Sequence, residues 1–340
     1  MEGFDMTEKN SSAEIRCLNL KDSQGKRITY TLGTSDINNV DVMLPISDTL
    51  EFLKQIPSSS VDLIVTSPPY NMGKAYEERK KLDEYFKYMR EVASECVRVL
   101  KDSGNLCWES GNYVSNKEVF PLDFFFYKIF KEWLGLKLRN RIIWRFAHGL
   151  HASLRFSGRY ETILWFTKTD YYTFNLDSVR VPQKYPGKTS YSGKNYGKPS
   201  GNPLGKNPSD IWDIVLQDWE KAIWDIPNVK SNHPEKTEHP AQYPIELVQR
   251  IILALTNEGN IILDPFGGVG SAMLAAVLLN RKAISVDRDK WYQTIAYERL
   301  IKLAEGSLKI RKIGTKVYVP TGKEKVSKIP ESWLNNESSK

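Results

Sequence analysis

"NIILDPFGGVGSAMLAAVLLNRKAISVDRD", residues 260–289, decides the fold. Ile261–Leu263 is a short apolar run that ends at Asp264. A glycine-rich turn follows, then small and apolar residues at helical length, then a second apolar strand in "AISVD". A strand, turn, helix and strand with buried-type strands predict a parallel sheet with helices on both faces. Gly268 and Gly270 let a ligand approach the backbone and let the helix pack close to the strand. Asp287 closes the second strand, where a carboxylate is placed to take the two hydroxyls of a ribose.

The turn is not the G-x-G-x-x-G of a nicotinamide site, and no Gly-Lys-Ser/Thr follows it. Asp264 stands just before it, and a carboxylate there repels a pyrophosphate but suits a cationic or ammonium-bearing ligand. That favours S-adenosyl-L-methionine over a dinucleotide; the bland alternative is a strand–helix turn with incidental glycines. "EHPAQYPIEL" (238–247) stands just upstream, with His239 and Pro240 beside the cofactor turn and a proline opening the next helix.

The same alternation extends toward the N-terminus. "ISDTLEFLKQI" (46–56) predicts a helix capped by Ser47 or Asp48. "SSSVDLIVT" and "LCWES" read as strands. They flank an amphipathic helix at 82–101 closed by Gly104. "FPLDFFFYKIFKEWLG" reads as a helix ending at Gly135, and "LRNRIIWRF" and "ETILWFTK" as two more strands. Residues 182–240 are rich in Pro, Gly, Ser, Lys and Asn and carry "IWDI" twice, at 211–214 and 223–226; two copies do not make a solenoid.

"VTSPPY" (65–70) ends the "VDLIV" strand with two prolines, which cannot extend a central strand. Thr66–Tyr70 is therefore predicted to be a stiff loop. It offers the Ser67 hydroxyl, the Ser67 and Pro68 carbonyls, and the flat ring of Tyr70, with Pro69 holding the corner. Such a corner suits a flat molecule bearing an amino group; alternatively it is a strand-terminating turn with a surface tyrosine.

With 340 residues the chain has room for one large domain or two joined ones. Hydrophobic residues make up 41% and charged residues 26%, ordinary values for a globular protein. No apolar run reaches a membrane span and "MEGFDMTEKNSS" is not a signal peptide, so a cytoplasmic protein is expected. Cys17, Cys96 and Cys107 are too far apart for a disulfide framework or a zinc site. None of them follows a proline, which disfavours thiolate chemistry at a pyrimidine C5. His148 and His151 have no acidic or cysteine partner at metal spacing, so no metal is expected. The net charge of +7 suits a polyanionic partner.

"TSPPY", "HPAQYP" and "DPFGGVGS", in that order, resemble the amino-methyltransferases of DNA in the group whose catalytic half precedes its cofactor half (beta class). The resemblance covers about residues 40–168 and 236–303. It implies an α/β fold: a doubly wound, mostly parallel seven-stranded sheet, Rossmann-like, with an inserted target-recognition region. The expected organisation is a disordered 1–15, a catalytic half at 16–150 and a recognition region at 151–235. An AdoMet-binding half at 236–305 and a basic tail at 306–340 complete it.

By motif, the resemblance makes Ser67, Pro68, Pro69 and Tyr70 catalytic. It lines the cofactor with Asp264, Phe266, Gly268, Gly270, Ser271 and Asp287, with Thr66, His239 and Pro240 beside them. Asp48 is expected to accept from the cofactor's adenine amine. "SPPY" is the form typical of cytosine-N4 enzymes, whereas adenine-N6 enzymes usually carry Asp or Asn at the serine. The expected reaction is methylation of a flipped cytosine in double-stranded DNA, as the modification arm of a restriction–modification pair. Adenine-N6 methylation and a non-catalytic DNA-binding protein are the alternatives, and a homodimer is allowed.

A DNA contact is expected from Lys74 after the corner, while Arg79 in the same stretch reads rather as part of a solvated charged loop. The stretch 139–159 adds Arg139, Arg141, Arg145, Arg155 and Arg159, interleaved with aromatics suited to phosphate contact and stacking.

Overall fold

The computed structural model describes residues 16–21, 27–33, 39–73, 79–146, 151–183, 185–212, 226–230 and 233–315. The chain opens with β1 (Arg16–Lys21), β2 (Arg27–Thr31) and β3 (Val42–Met43). Helix α1 (Thr49–Leu53) leads into β4 (Val61–Thr66), and α2 (Leu82–Val99) runs directly into β5 (Leu100–Ser110). A hairpin of β6 (Asn112–Ser115) and β7 (Glu118–Pro121) precedes α3 (Leu122–Tyr127), which continues as a π-helical turn over Lys128–Trp133. Then come β8 (Lys137–Arg145), β9 (Tyr160–Thr167) and β10 (Ile211–Trp212). Helix α4 (Ile245–Leu255), β11 (Ile261–Asp264), α5 (Ser271–Leu278), β12 (Lys282–Ser285) and α6 (Lys290–Ala304) complete it.

One ten-stranded sheet carries the molecule, in the order β1-β2-β3-β12-β11-β4-β5-β9-β8-β10. From β2 to β5 every neighbour is parallel; β9 runs antiparallel to both β5 and β8. The strands β3 to β8 of this order match the count of seven that the resemblance implies, although β3 was not read from the sequence. Three more are added at the edges: the β1–β2 pair on one side and the two-residue β10 on the other. Short or partly polar edge strands carry little of the apolar signal that marks central ones.

Alternation along the strands splits the core in two. Leu63 and Val65 face a core shared with α4, α5 and α6, while Val61 and Ile64 face one shared with α1, α2 and α3. Side chains of a strand point to opposite faces, so β4 must be apolar almost throughout.

Several sequence expectations need correction. Gly104 does not cap α2; it lies inside β5, where a Cβ would come within 2.7 Å of Leu100 Cδ1. Helix α2 ends because Leu100 turns extended, at φ −69° and ψ 133°. The β6–β7 hairpin was not foreseen: its turn has Asn116 and Lys117 at φ 50° and 67°, without the glycine that usually signals such turns. Strand β9 belongs to the main sheet although a boundary at 151 assigns it to the recognition region.

The first "IWDI" supplies edge strand β10. Of the second, residues 223–225 lie outside the described residues, while Ile226 is buried and its carbonyl accepts from Trp144 Nε1 at 2.8 Å. The expected disorder of 1–15 and the tail beyond 315 also lie outside them. The tail's first residues are not loose: Arg311 pairs with buried Glu246, and its backbone N–H donates to Glu235 at 3.1 Å. No helix among the described residues is long and apolar enough to cross a membrane.

Candidate active site

Strand register brings four chain segments to one edge of the sheet. In the β11–β4 pair Leu263 lies opposite Ile64, so the turns that follow both strands emerge side by side. Beyond β12 and β3, Asp287 and Ile46 form a bridge that carries Asp48 to the same edge. Ligands of open α/β sheets bind at this carboxyl edge. An open cleft there is lined by Asp48, Ser67, Tyr70, Phe266, Gly268 and Asp287, among others.

The diproline corner is tied down at both ends. Thr66 is the last residue of β4, fully buried, and its hydroxyl donates to Asp264 Oδ1 at 2.7 Å. The stiff loop therefore starts at Ser67, and Thr66 lies behind the cleft wall instead of on it. Ser67 Oγ and Tyr70 OH are 3.0 Å apart. Pro69's carbonyl accepts from Tyr85 of α2 at 2.9 Å. Asn71, at φ 59°, brackets Lys80 by accepting from its N–H at 2.7 Å and donating to its carbonyl at 2.9 Å. Tyr70 is only 8% exposed, and its ring lies over Gly111, where a Cβ would be 2.9 Å from Cε2. It lines the cleft but is less open than a surface stacking ring.

The glycine turn uses backbone where the corner uses side chains. Gly268, at φ 50°, donates its N–H to Asp287 Oδ2 at 2.9 Å, and Asp289 N–H donates to Asp287 Oδ1 at 2.8 Å. Burial raises the Asp287 pKa, against these two amides. His239 lies against Gly268, where a Cβ would be 3.4 Å from Nε2, and meets Tyr292 edge-on at 4.6 Å. Pro240 is exposed and off the wall. Gly270, at φ 77°, also leaves the wall; a Cβ there would meet Met273 Cε at 2.7 Å and Ala296 Cβ at 3.0 Å, so it is a packing glycine. Ser271 opens α5 and lines the cleft.

Asp264 differs from its expected place. It is 1% exposed and not on the wall. Its carboxylate accepts from Thr66, from Tyr243 OH at 2.5 Å and from Phe266 N–H at 3.1 Å. Burial pushes its pKa up to about 6, opposed by the bonds from Tyr243 and Thr66. It knots together the ends of β4 and β11 and the loop before α4. Asp48 keeps both a structural and an open role: Oδ1 caps α1 through Leu50 N–H at 2.9 Å, and Oδ2 accepts from Tyr88 OH at 3.1 Å. Burial, then Asp48, drives the Tyr88 pKa upward. Tyr85, Tyr88 and Met89 of α2 line the cleft and were not foreseen, although their i, i+3, i+4 spacing marks one helix face.

The basic residues separate. Arg141 is committed to Asp123, with Nη2 2.6 Å from Oδ2, and Arg139 pairs with Asp170 at 2.8 Å. Arg79 donates to Tyr113 OH and Ser115 Oγ of the hairpin. Arg145 and Arg155 are exposed, and Arg159 lies 3.5 Å from His151 Nδ1. Lys74 and His148 lie outside the described residues. Among the described residues no cluster of His, Cys, Asp or Glu is arranged to hold a metal. Cys96 and Cys107 are buried, and burial pushes both thiols well above their ordinary pKa.

Comparison with known proteins places the chain in a family. The DNA methylase family N6_N4_Mtase matches residues 61–298. The chain is 44% identical over 295 residues to type II methyltransferase M.BglII of Bacillus subtilis, covering 83% of this chain and 78% of that protein. It is 33% identical over 260 residues to the DNA adenine methyltransferase YhdJ of Escherichia coli K12, covering 74% and 80%. PvuII DNA methyltransferase (cytosine-N4-specific) shares the fold at a TM-score of 0.57 and 20% identity, over 86% of this chain and 96% of that one. The chain therefore belongs to the N6/N4 family of DNA methylases, enzymes that take their methyl group from S-adenosyl-L-methionine.

Proposed function

We propose that this chain methylates the exocyclic N4 amine of cytosine within a specific sequence of double-stranded DNA, as the modification arm of a restriction–modification pair. The observation that carries the reading is the shared cleft. Ser67 of the corner and Gly268 of the glycine turn line the same cavity. An amine held at one faces a methyl donor held at the other.

The residues present fit S-adenosyl-L-methionine. Asp287 suits the ribose hydroxyls and Asp48 an adenine amine, while Phe266, Tyr88 and Tyr292 offer flat faces. When bound, the cofactor supplies an electrophilic methyl group on a sulfonium. An amine inside a stacked duplex is out of reach, so the nucleotide has to be flipped into the cleft. Tyr70 contacts the extruded base, a class of contact worth about 1–3 kcal/mol. The Ser67 hydroxyl and the Pro68 carbonyl accept the two amine N–H bonds and turn the nitrogen lone pair toward the methyl donor. The gain comes from orientation and preorganised dipoles. Arg145, Arg155 and Arg159 serve the DNA backbone, while Arg141, held by Asp123, shapes the protein instead.

The serine in "SPPY" favours cytosine-N4. A second reading, adenine-N6 methylation, is favoured by the similarity to YhdJ. Nucleoside mass spectrometry of DNA from cells expressing the chain tests both. N4-methylcytosine is expected; N6-methyladenine transfers the reading to adenine, and the absence of both bases overturns it.

A further inference from the structure

Two glutamates meet behind Ser67, and nothing in the mechanism above uses them. Thr66 lies opposite Trp108 in the β4–β5 register, so one step further the corner brings Ser67 beside Glu109. Glu109 pairs with Ile163 across β5 and β9, which puts Glu161, two residues from Ile163, on the same sheet face. Glu109 is 5% exposed, and among the described residues its Oε1 has no hydrogen-bond partner. Strand register thus sets its carboxyl between the corner and Glu161, and Ser67 and Glu161 both act on its titration. Gly111 closes the cluster: a Cβ there would be 2.9 Å from the Tyr70 ring and 3.7 Å from Glu161 Cγ.

We propose that Glu109 and Glu161 form a one-proton carboxyl pair that receives the proton released by methyl transfer, through the Ser67 hydroxyl. This rests on reading Ser67 as the acceptor of the target amine. Two neighbouring carboxyls screened from water do not both ionise, so in this proposal the resting pair holds one proton and one negative charge. Burial, then Glu161, raises the Glu109 pKa well above the ordinary carboxylate value, and Asp264 adds to the rise. Tyr243, from the loop before α4, faces the same group.

The step balances. The amine lone pair forms the new N–C bond, and the electrons of the broken S–C bond return to sulfur. The amine's N–H proton passes to Ser67 Oγ as the Ser67 proton moves to the pair. The pair goes from one negative charge to neutral while the sulfonium becomes a neutral thioether. Glu109 acts through Ser67 and is thus a positioning and proton-storing residue.

Glu109→Gln and Glu161→Gln test this beside Ser67→Ala in the full chain. Single-turnover methyl transfer is followed against pH, cofactor affinity by calorimetry, and carboxyl protonation by infrared difference spectroscopy. Wild type should slow in acid as the pair fills with its second proton. Both glutamine variants should be about 10- to 100-fold slower and lose that acidic limb, with cofactor affinity unchanged. Each should also lose the protonated-carboxyl band that wild type shows near neutrality. Glutamine variants that keep the wild-type rate, or that slow with the acidic limb and the infrared band intact, overturn the proposal. Full activity of Ser67→Ala overturns the Ser67 reading itself. Loss of activity in Ser67→Ala with wild-type behaviour in both glutamine variants overturns only the proton pair.

Discussion

Two loops leave neighbouring strands and face each other across one cleft, yet they are built on opposite principles. The Ser67–Tyr70 corner is made stiff by prolines and presents side chains: a hydroxyl pair 3.0 Å apart and a ring packed over Gly111. The 265–270 turn is made permissive by glycine and presents backbone, with Gly268 bonded to Asp287. Proline lowers the entropy lost in holding one geometry, and glycine removes the atom that keeps a ligand away. In the proposed function a substrate amine, which needs orientation, meets the stiff loop, and a large cofactor, which needs close approach, meets the open one. Asp264 stands between them and bonds to Thr66 on one side and Phe266 on the other.

That contrast can be broken at the corner first. Ser67→Ala should reduce methyl transfer by about 10²–10³-fold, as loss of one preorganised polar contact does elsewhere. Calorimetry should find cofactor affinity unchanged, because the glycine turn is untouched. An equal loss of both would mean that the two loops do not divide the work.

The knot between the loops comes next. The Asp264 pKa is raised from 3.8 to about 6, so the folded state holds this proton more tightly than the unfolded chain does. Its favourable contribution is present below 3.8 and disappears as pH climbs through about 6, a change on the order of 3 kcal/mol. Asp264→Asn cannot titrate. Thermal melts should therefore show the variant gaining on wild type between these pH values and running parallel above them.

Smaller effects sharpen the comparison within the glycine turn. Gly270→Ala should lower stability by about 1–3 kcal/mol in a denaturant melt, since its Cβ meets Met273 and Ala296 at positive φ. Gly268→Ala, also at positive φ but with its nearest atoms on His239 at 3.4 Å, should act mainly on cofactor affinity, with a lesser change in melting. The smallest effect is expected from Tyr88→Phe, which removes one hydrogen bond to Asp48 and about 1 kcal/mol of stability.

Much of this site was legible before any coordinates. The prolines announced a corner after β4, and the spacing of Gly270 and Asp287 pointed to a cofactor turn, although Gly268 and not Gly270 lines the cleft. What was missed has a common cause. Glu109 in "LCWES" reads as the polar end of a strand; only pairing with β9 brings Glu161 to it. Arg141 reads as a phosphate contact until Asp123 of α3 is seen beside it. The Asn116–Lys117 turn lacks its usual glycine, so local chemistry gave no signal.

By itself, the sequence determined most of the central strands and their flanking helices, the doubly wound class, and which loop is stiff and which is permissive. Those follow from periodicity and from residues that restrict or free the backbone, and both are local properties. Tertiary structure alone decided which carboxylates face the cleft and which are knotted behind it. That choice depends on strand register and burial, which join residues nearly two hundred positions apart, as with Thr66 and Asp264.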